Sequence, residues 1–165
     1  IILTAANELK TSPKELLQRS HSVMTEIKEL RQNLERMKDK LLGGEIDRVL
    51  FSAKNVGGLK VLTALKNDIA AGDLRKMGDQ LRDRDPDVVA VLASCCGEKI
   101  SILAVCGKNA IAKGIKAGAL VKEVCTICGG SGGGKPDSAM GGGKDALKLD
   151  NALALVDDFV MNNIK

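Results

Sequence analysis

The stretch 128–143 reads CGGSGGGKPDSAMGGG and holds eight of the chain's 18 glycines. Backbone this bare loses more conformational entropy on ordering than any other, so such a run has few uses: a slack tether, a phosphate cradle, or a loop that something must approach closely. A tether is disfavoured because an apolar helical pattern runs up to Ile127 and Cys128, and because Pro136 and Asp137 specify a turn inside the run. A mononucleotide cradle is disfavoured as well. Residues 129–135 satisfy G-x-x-x-x-G-K, but Pro136 stands where a Ser or Thr hydroxyl would hold magnesium, it lacks a backbone donor, and a helix rather than a strand precedes the run. The remaining reading is a glycine-rich loop, 129–143, open to a large ligand.

The charge distribution indicates which ligand. Residues 99–148 carry eight lysines and no arginine against Glu123, Asp137 and Asp145, whereas 68–98 carry four basic against seven acidic residues. The whole chain is only +4, so positive charge gathers around the glycines, with Lys108, Lys113, Lys116, Lys135, Lys144 and Lys148 as candidates. Exposed N–H groups beside a positive field suit a polyanion that donates phosphates to main chain. Phe51 and Phe159 are the sole aromatics, too few for a row of stacking platforms, so folded or double-helical RNA read by shape is expected rather than a single strand.

A second pattern dominates the N-terminal part. Leu16, Ser20, Val23, Ile27, Leu30, Leu34, Met37 and Leu41 alternate in steps of four and three, a heptad seam flanked by Glu26, Lys28, Glu29 and Arg31. Ser12, Pro13 and Glu15 form a capping-box signature, which predicts a helix over 13–42, about 45 Å long. Its narrow seam needs a partner: an upstream helix, the segment 1–10 folded back, or a second copy of the chain. Gly43 and Gly44 are expected to end this rod, with a second helix over 45–55. The opening IILTAANELK reads as the middle of an apolar helix, so the chain is expected to be a piece of a longer protein.

From Gly57 onward, short β-rich runs alternate with helical ones. The patterns predict a strand at 59–66, a helix over AGDLRKMGDQLRDR with Leu74, Met77 and Leu81 on one face, a buried strand in DVVAVLASC, a turn at 96–99 and a strand in KISILAVC. A helix follows in GIKAGALVKEVCTIC, and a last helix carries Leu149, Ala152, Leu153, Val156, Phe159 and Val160. The expected fold is α/β (α+β): a helical, coiled-coil-like extension over 1–44, then a globular domain over 45–165 whose sheet is packed by helices.

No apolar run is long enough to span a membrane, so no membrane partner is expected. Five cysteines lack disulfide-framework spacing and read as reduced thiols, which fits a cytoplasmic setting. Cys125 and Cys128 form a C-x-x-C with no second pair at zinc spacing, so burial is expected for them and packing roles for Cys95, Cys96 and Cys106. His21, the one histidine, falls outside the seam and reads as solvated.

The words CGGSGGGKPDSAMGGG resemble the signature of the C-terminal domain of alanyl-tRNA synthetases, a GGxGGG-[RK]-PD-x-A segment followed by further glycines. LRKMGDQLRDRDPDVVAVLAS, KISILAVCGKNA and KGIKAGALVKEV are similar to the same domain in the same order. LKTSPKELLQRSHSVMTEIKELRQNLERMKDKL resembles the coil that joins the family's editing domain to it. A related domain accompanies DHH-type phosphoesterases, which carry a GGH-type motif where this chain has Gly134, Lys135 and Pro136. The resemblance implies a non-catalytic piece of a ligase that binds the outer corner of tRNA, with ATP and zinc needed only by catalytic and editing domains upstream, and with possible homodimerisation. It carries the motif onto Gly129, Gly130, Gly132, Gly133, Gly134, Lys135, Gly141, Gly142 and Gly143, while Lys108, Lys113, Lys116 and Lys144 are added on charge alone. Lys135 stands where Arg is common, which implies a point-charge contact rather than a bidentate one.

Overall fold

A computed structural model of the chain describes residues 2–97 and 99–164, with main chain alone at 38–43 and 45. It contains helices α1 (Ile2–Glu8) and α2 (Leu16–Phe51), strands β1 (Lys54–Val56) and β2 (Leu59–Asn67), helix α3 (Ala71–Arg84), strands β3 (Val88–Cys96) and β4 (Lys99–Cys106), helices α4 (Lys108–Ala112) and α5 (Ala117–Ile127), strands β5 (Ser131–Gly134) and β6 (Ser138–Gly143), a 3-10 turn (Ala146–Lys148), and helices α6 (Leu149–Ala154) and α7 (Val156–Asn163). The chain divides into two compact units, Ile1–Gly44 and Glu45–Lys165.

In the first unit the capping signature works differently from expectation. The Ser12 hydroxyl donates to the Glu15 carboxylate at 2.9 Å instead of accepting from the helix, and Glu15 N–H closes a turn on Ser12 C=O at 3.0 Å. Regular helix therefore begins at Leu16 rather than Pro13. Of the seam side chains, Leu30, Leu34 and Met37 are each more than half exposed, Ile27 is exposed, and Val23 is half-buried. Leu41, the last seam position, lies outside the described side chains. His21 is exposed, as expected.

Gly43 and Gly44 do not end the helix, and the separate helix expected over 45–55 does not exist: α2 runs unbroken to Phe51, after which β1 begins at Lys54. A glycine inside a helix costs about 1 kcal/mol relative to alanine. The next turns offset that loss, because Ile46 and Val49 are buried in the second unit, and each buried aliphatic side chain contributes roughly 1.5–3 kcal/mol. Asp47 adds an ion pair with Arg84 at the end of α3.

The second unit is a six-stranded mixed sheet in the order β1-β2-β3-β4-β6-β5. β2 and β3 are parallel, joined by the crossover helix α3, and all other neighbours are antiparallel. β3 is buried over Val88 to Ala93 and at Ser94, as a central strand with both faces covered must be. On one face α3 packs Leu74, Met77 and Leu81 over β3 and β4. Gly78 lets it come close, since a Cβ there would lie 2.5 Å from Leu103 Cδ2. The other face holds a larger cluster that includes Val89, Val91, Ile102, Leu120, Val124, Leu149, Ala152 and Val160. The apolar stripe expected to form one last helix is divided at Leu155 into α6 and α7.

Candidate nucleic-acid interface

The glycine-rich stretch is not a loop. It folds as the β5–β6 hairpin at one end of the sheet, with Lys135, Pro136 and Asp137 at its turn. β6 pairs with β4 on its inner side, Ile102 opposite Gly141, and with β5 on its outer side, Gly132 opposite Gly141. Lys135 N–H donates to Ser138 C=O at 3.0 Å and closes the turn.

Most of the glycines answer to the protein's own packing. Gly129 ends α5 in the left-handed region, φ +66°, where a side chain would be strained. Its N–H reaches Thr126 C=O at 3.1 Å, and Gly130 N–H reaches Cys125 C=O at 2.8 Å, the two bonds of a Schellman stop. Gly132 and Gly141 face α5, whose Val121 and Cys125 stand one turn apart directly over them. A Cβ at Gly132 would lie 2.4 Å from Val121 Cγ1, and one at Gly141 2.5 Å from Cys125 Sγ. Gly143 meets Cys128 in the same way at 2.6 Å, and a Cβ at Gly130 would collide with Gly142 C=O. Gly134 is closed in by Ala139 and Gly142 by Ile100 C=O. Gly133 alone within β5 and β6 has open space where a side chain would go. The glycines thus let a helix sit on bare strand, and one face of the hairpin is spoken for.

The other face is open. Because alternate strand residues point to opposite sides, Gly133 and Met140 face away from α5, toward the side on which α3 packs over β3 and β4. Between α3 and this uncovered hairpin lies a cleft of about 390 Å³, lined by Arg75, Asp79 and Arg82 from the helix and by Gly133, Lys135 and Met140 from the hairpin. Arg82 donates to Asp137 at 3.1 Å and also pairs with Asp79 at 3.3 Å. Arg75 and Lys135 are exposed and, among the described residues, make no ion pair. Arg82 also borders a second cleft of about 450 Å³, together with Asp83, Pro86 and Lys108.

The turn is held from three directions. Ala117 N–H, at the start of α5, donates to Pro136 C=O at 2.9 Å, and Cys106 N–H, at the end of β4, donates to Asp137 C=O at 3.0 Å. The Asp137 carboxylate takes the Arg82 guanidinium. Pro136, which looked like a defect in a phosphate cradle, instead supplies an acceptor to a helix N-terminus that has donors to spare.

The lysines chosen on charge are scattered by the fold. Lys135 projects from the hairpin turn, and Lys116 precedes the α5 N-terminus that the turn caps. Lys144 follows β6, and its own N–H is bonded to Cys128 C=O at 2.9 Å. Lys108 opens α4 beside Arg82. Lys113 is occupied elsewhere: its ammonium donates to Gly57 C=O and Gly58 C=O, at 3.1 and 3.3 Å, closing the β1–β2 turn. Lys148 pairs with Asp145 at 3.4 Å. Arg75 and Arg82 did not stand out in the sequence because they lie in its acidic segment. The signal for them was the polar spacing 75, 79, 82 along α3, which puts all three side chains on one stripe next to the buried Leu74, Met77 and Leu81.

The buried thiols are held in their protonated form. Burial pushes Cys106 up to about 12, with the Asp137 charge adding to it, and Cys125 up to about 11, with Cys128 adding to it. Such thiols stay protonated and inert. Cys96, expected to be a packing residue, is exposed, since it ends β3 where the strand leaves the covered sheet. Among the described residues no group of three or more His, Cys, Asp or Glu is placed to hold a metal, and no helix is long and apolar enough to cross a membrane.

Comparison with known proteins gives this geometry its relatives. The DHHA1 domain model matches residues 58–162. An alanine–tRNA ligase of Bacillus mycoides (strain KBAB4) is 40% identical over 160 residues, covering 97% of this chain but 18% of the ligase, so the chain spans about a fifth of the relatives it matches. The crystal structure of the C-Ala domain from Aquifex aeolicus alanyl-tRNA synthetase superposes with a TM-score of 0.63 at 30% identity, covering 67% of this chain and 98% of that one. A DHH domain of a member of the s1p family of ribosomal proteins shares the fold alone, with a TM-score of 0.54 at 12% identity over 97% of this chain and 40% of that one. The chain belongs to the DHHA1 domain family, among the C-Ala domains of alanyl-tRNA synthetases.

Proposed function

We propose that this domain binds tRNA and holds its outer corner, in the cytoplasm, so that the aminoacylation and editing modules of an alanyl-tRNA synthetase act on one bound molecule. The observation that carries the reading is the β5–β6 hairpin: a nearly side-chain-free strand pair at the end of the sheet with Lys135 exposed at its turn. Lys108, Lys116 and Lys144 supply a surrounding positive field, whereas Lys113 contributes little because its charge is turned onto the β1–β2 turn.

The domain has no chemistry to perform in this reading. Holding the corner raises the effective concentration of the acceptor end at the upstream sites, a gain set by geometry rather than by new contacts at the reacting bond. Binding is electrostatic and therefore falls steeply with salt. Filter binding of tRNA to the 165-residue chain across a salt series is the test. Affinity should fall linearly on a log–log plot, and Lys135→Glu should weaken binding at low salt. Affinity that ignores both salt and Lys135 would end the reading.

A second reading, self-association through α2, is favoured by the exposure of Ile27, Leu30, Leu34 and Met37 along one seam. A run of this kind gains stability only by covering its apolar stripe. Sedimentation of the chain with and without residues 1–44 decides it: a concentration-dependent dimer that becomes a monomer on truncation supports it, and a monomer in both rules it out.

A further inference from the structure

We infer that the cleft between α3 and the uncovered face of the hairpin is the phosphate-binding part of this surface, with Arg75 and Lys135 as its two cations. The inference rests on the tRNA reading above and adds to it a face, a cleft and a residue, Arg75, that lies outside the glycine motif.

α5 occupies the opposite face of the hairpin so closely that not even a methyl group fits at Gly132, Gly141 or Gly143. An RNA backbone cannot reach those glycines without removing the helix. On the α3 side, Gly133 has no heavy atom within 4 Å of where its Cβ would be, so a sugar-phosphate chain can lie against main chain there. The cleft beside it, about 390 Å³, admits a nucleotide-sized portion of a chain.

Charge points to the same face. Three cations line the cleft against two carboxylates, a net charge of +1, and both carboxylates, Asp137 and Asp79, engage the same cation, Arg82. That leaves Arg75 and Lys135, one on each wall, exposed and without an ion pair among the described residues. Arg75 offers a planar fork suited to bidentate phosphate contact, whereas Lys135 acts as a point charge. Arg82 holds the hairpin wall at a fixed distance from the helix wall by its bond to Asp137. Met140 also lines the cleft.

The test compares Arg75→Gln, Lys135→Gln and Lys122→Gln in tRNA filter binding across a salt series. Lys122 is an exposed lysine on α5, away from the cleft, and serves as the control. Removing one phosphate-binding cation should lower the log–log salt slope by about 0.9, equivalent to an affinity loss of about eightfold at roughly 0.1 M salt relative to roughly 1 M. Arg75→Gln and Lys135→Gln should each show this loss, Lys122→Gln should not, and Arg75→Lys should restore the slope. Arg75→Gln behaving like Lys122→Gln, in a chain that otherwise binds tRNA, would overturn the cleft assignment and leave the tRNA reading intact. A wild-type chain that does not bind tRNA would overturn the reading itself. Should Arg75→Gln fail to fold, the Nε–H resonance of Arg75 in the wild-type chain replaces it: a shift on adding tRNA supports the assignment, and an unmoved resonance in a bound complex rejects it.

Discussion

Arg82 Nη1 donates to Asp137 Oδ2 at 3.1 Å, joining the last turn of α3 to the turn of the glycine hairpin, 55 residues further along the chain. The contact links the acidic-looking helix to the glycine motif shared with C-Ala domains, and it fixes the width of the cleft between them. It also accounts for the Asp of GGGKPD as a structural residue: its side chain holds α3 and its carbonyl holds β4.

Breaking that bond should loosen the hairpin locally. Both partners are partly exposed, so Asp137→Asn is expected to cost about 1 kcal/mol or less, shrinking further in high salt. Hydrogen exchange at the Lys135 amide, bonded to Ser138, is the sensitive readout. Faster exchange there with a nearly unchanged Tm is the expected result. Unchanged exchange would mean the backbone bonds hold the turn alone.

The glycines should separate into two classes on alanine substitution. Gly132→Ala and Gly141→Ala place a methyl group 2.4 to 2.5 Å from α5 side chains and, in both cases, under 3 Å from the partner strand's main chain. Overpacking of this kind costs typically about 1–3 kcal/mol. Gly133→Ala meets nothing and should be neutral or slightly stabilising, because it restricts the unfolded chain. Urea denaturation of the three variants checks the order, and equal effects would contradict the packing described for α5.

Gly44→Ala tests the continuity of α2. Nothing lies within 4 Å of a Cβ at Gly44, and its backbone is helical, so the substitution should stabilise the chain by up to about 1 kcal/mol. If the helix ended there, alanine would instead destabilise it. Thermal melts distinguish the two outcomes.

The Lys60–Asp85 pair, 2.6 Å apart, should make stability depend on acid pH. Burial alone would raise the Asp85 carboxyl, but the Lys60 hydrogen bond, the Asp87 N–H and the Lys60 charge together hold it below its ordinary value. A carboxyl depressed in the folded state contributes stability above its unfolded pKa, about 3.9, and that contribution is lost as pH falls through the lower folded value. The stability gap between wild type and Asp85→Asn should therefore be full near neutrality and close in strong acid. A gap constant across denaturant melts from about pH 6 to about pH 2 would refute the assignment.

Thiol reactivity should follow burial. Iodoacetamide under native conditions is expected to modify Cys96 first, then the half-buried Cys95, while Cys106, Cys125 and Cys128 stay protected until unfolding. Peptide mass spectrometry of a time course reads the order directly, and early modification of Cys125 or Cys128 would show that α5 leaves the sheet.

Much of this architecture was legible from local patterns. The residues of α3 were visible in full, and β2, β3, β4 and α5 were placed to within a few positions, because their apolar periods are unambiguous and tertiary contacts agree with them. The boundaries that misled were those where a local rule met a distant contact. Two adjacent glycines looked like a helix stop, but burial of Ile46 and Val49 outweighed them. A run of glycine looked like a loop, since β-propensity counts side chains and glycine has none to count.

The amino-acid sequence by itself determined the alternation of helices and strands, the seam of α2, the lysine-rich setting of the glycines and the family resemblance, because each is a matter of spacing along one dimension. Only the tertiary structure decided why the glycines are there and which of their two faces is open. Those depend on α5 descending onto bare strand from one side while α3 stops short on the other. Such distances are set by side chains far apart in the chain, and no local pattern records them.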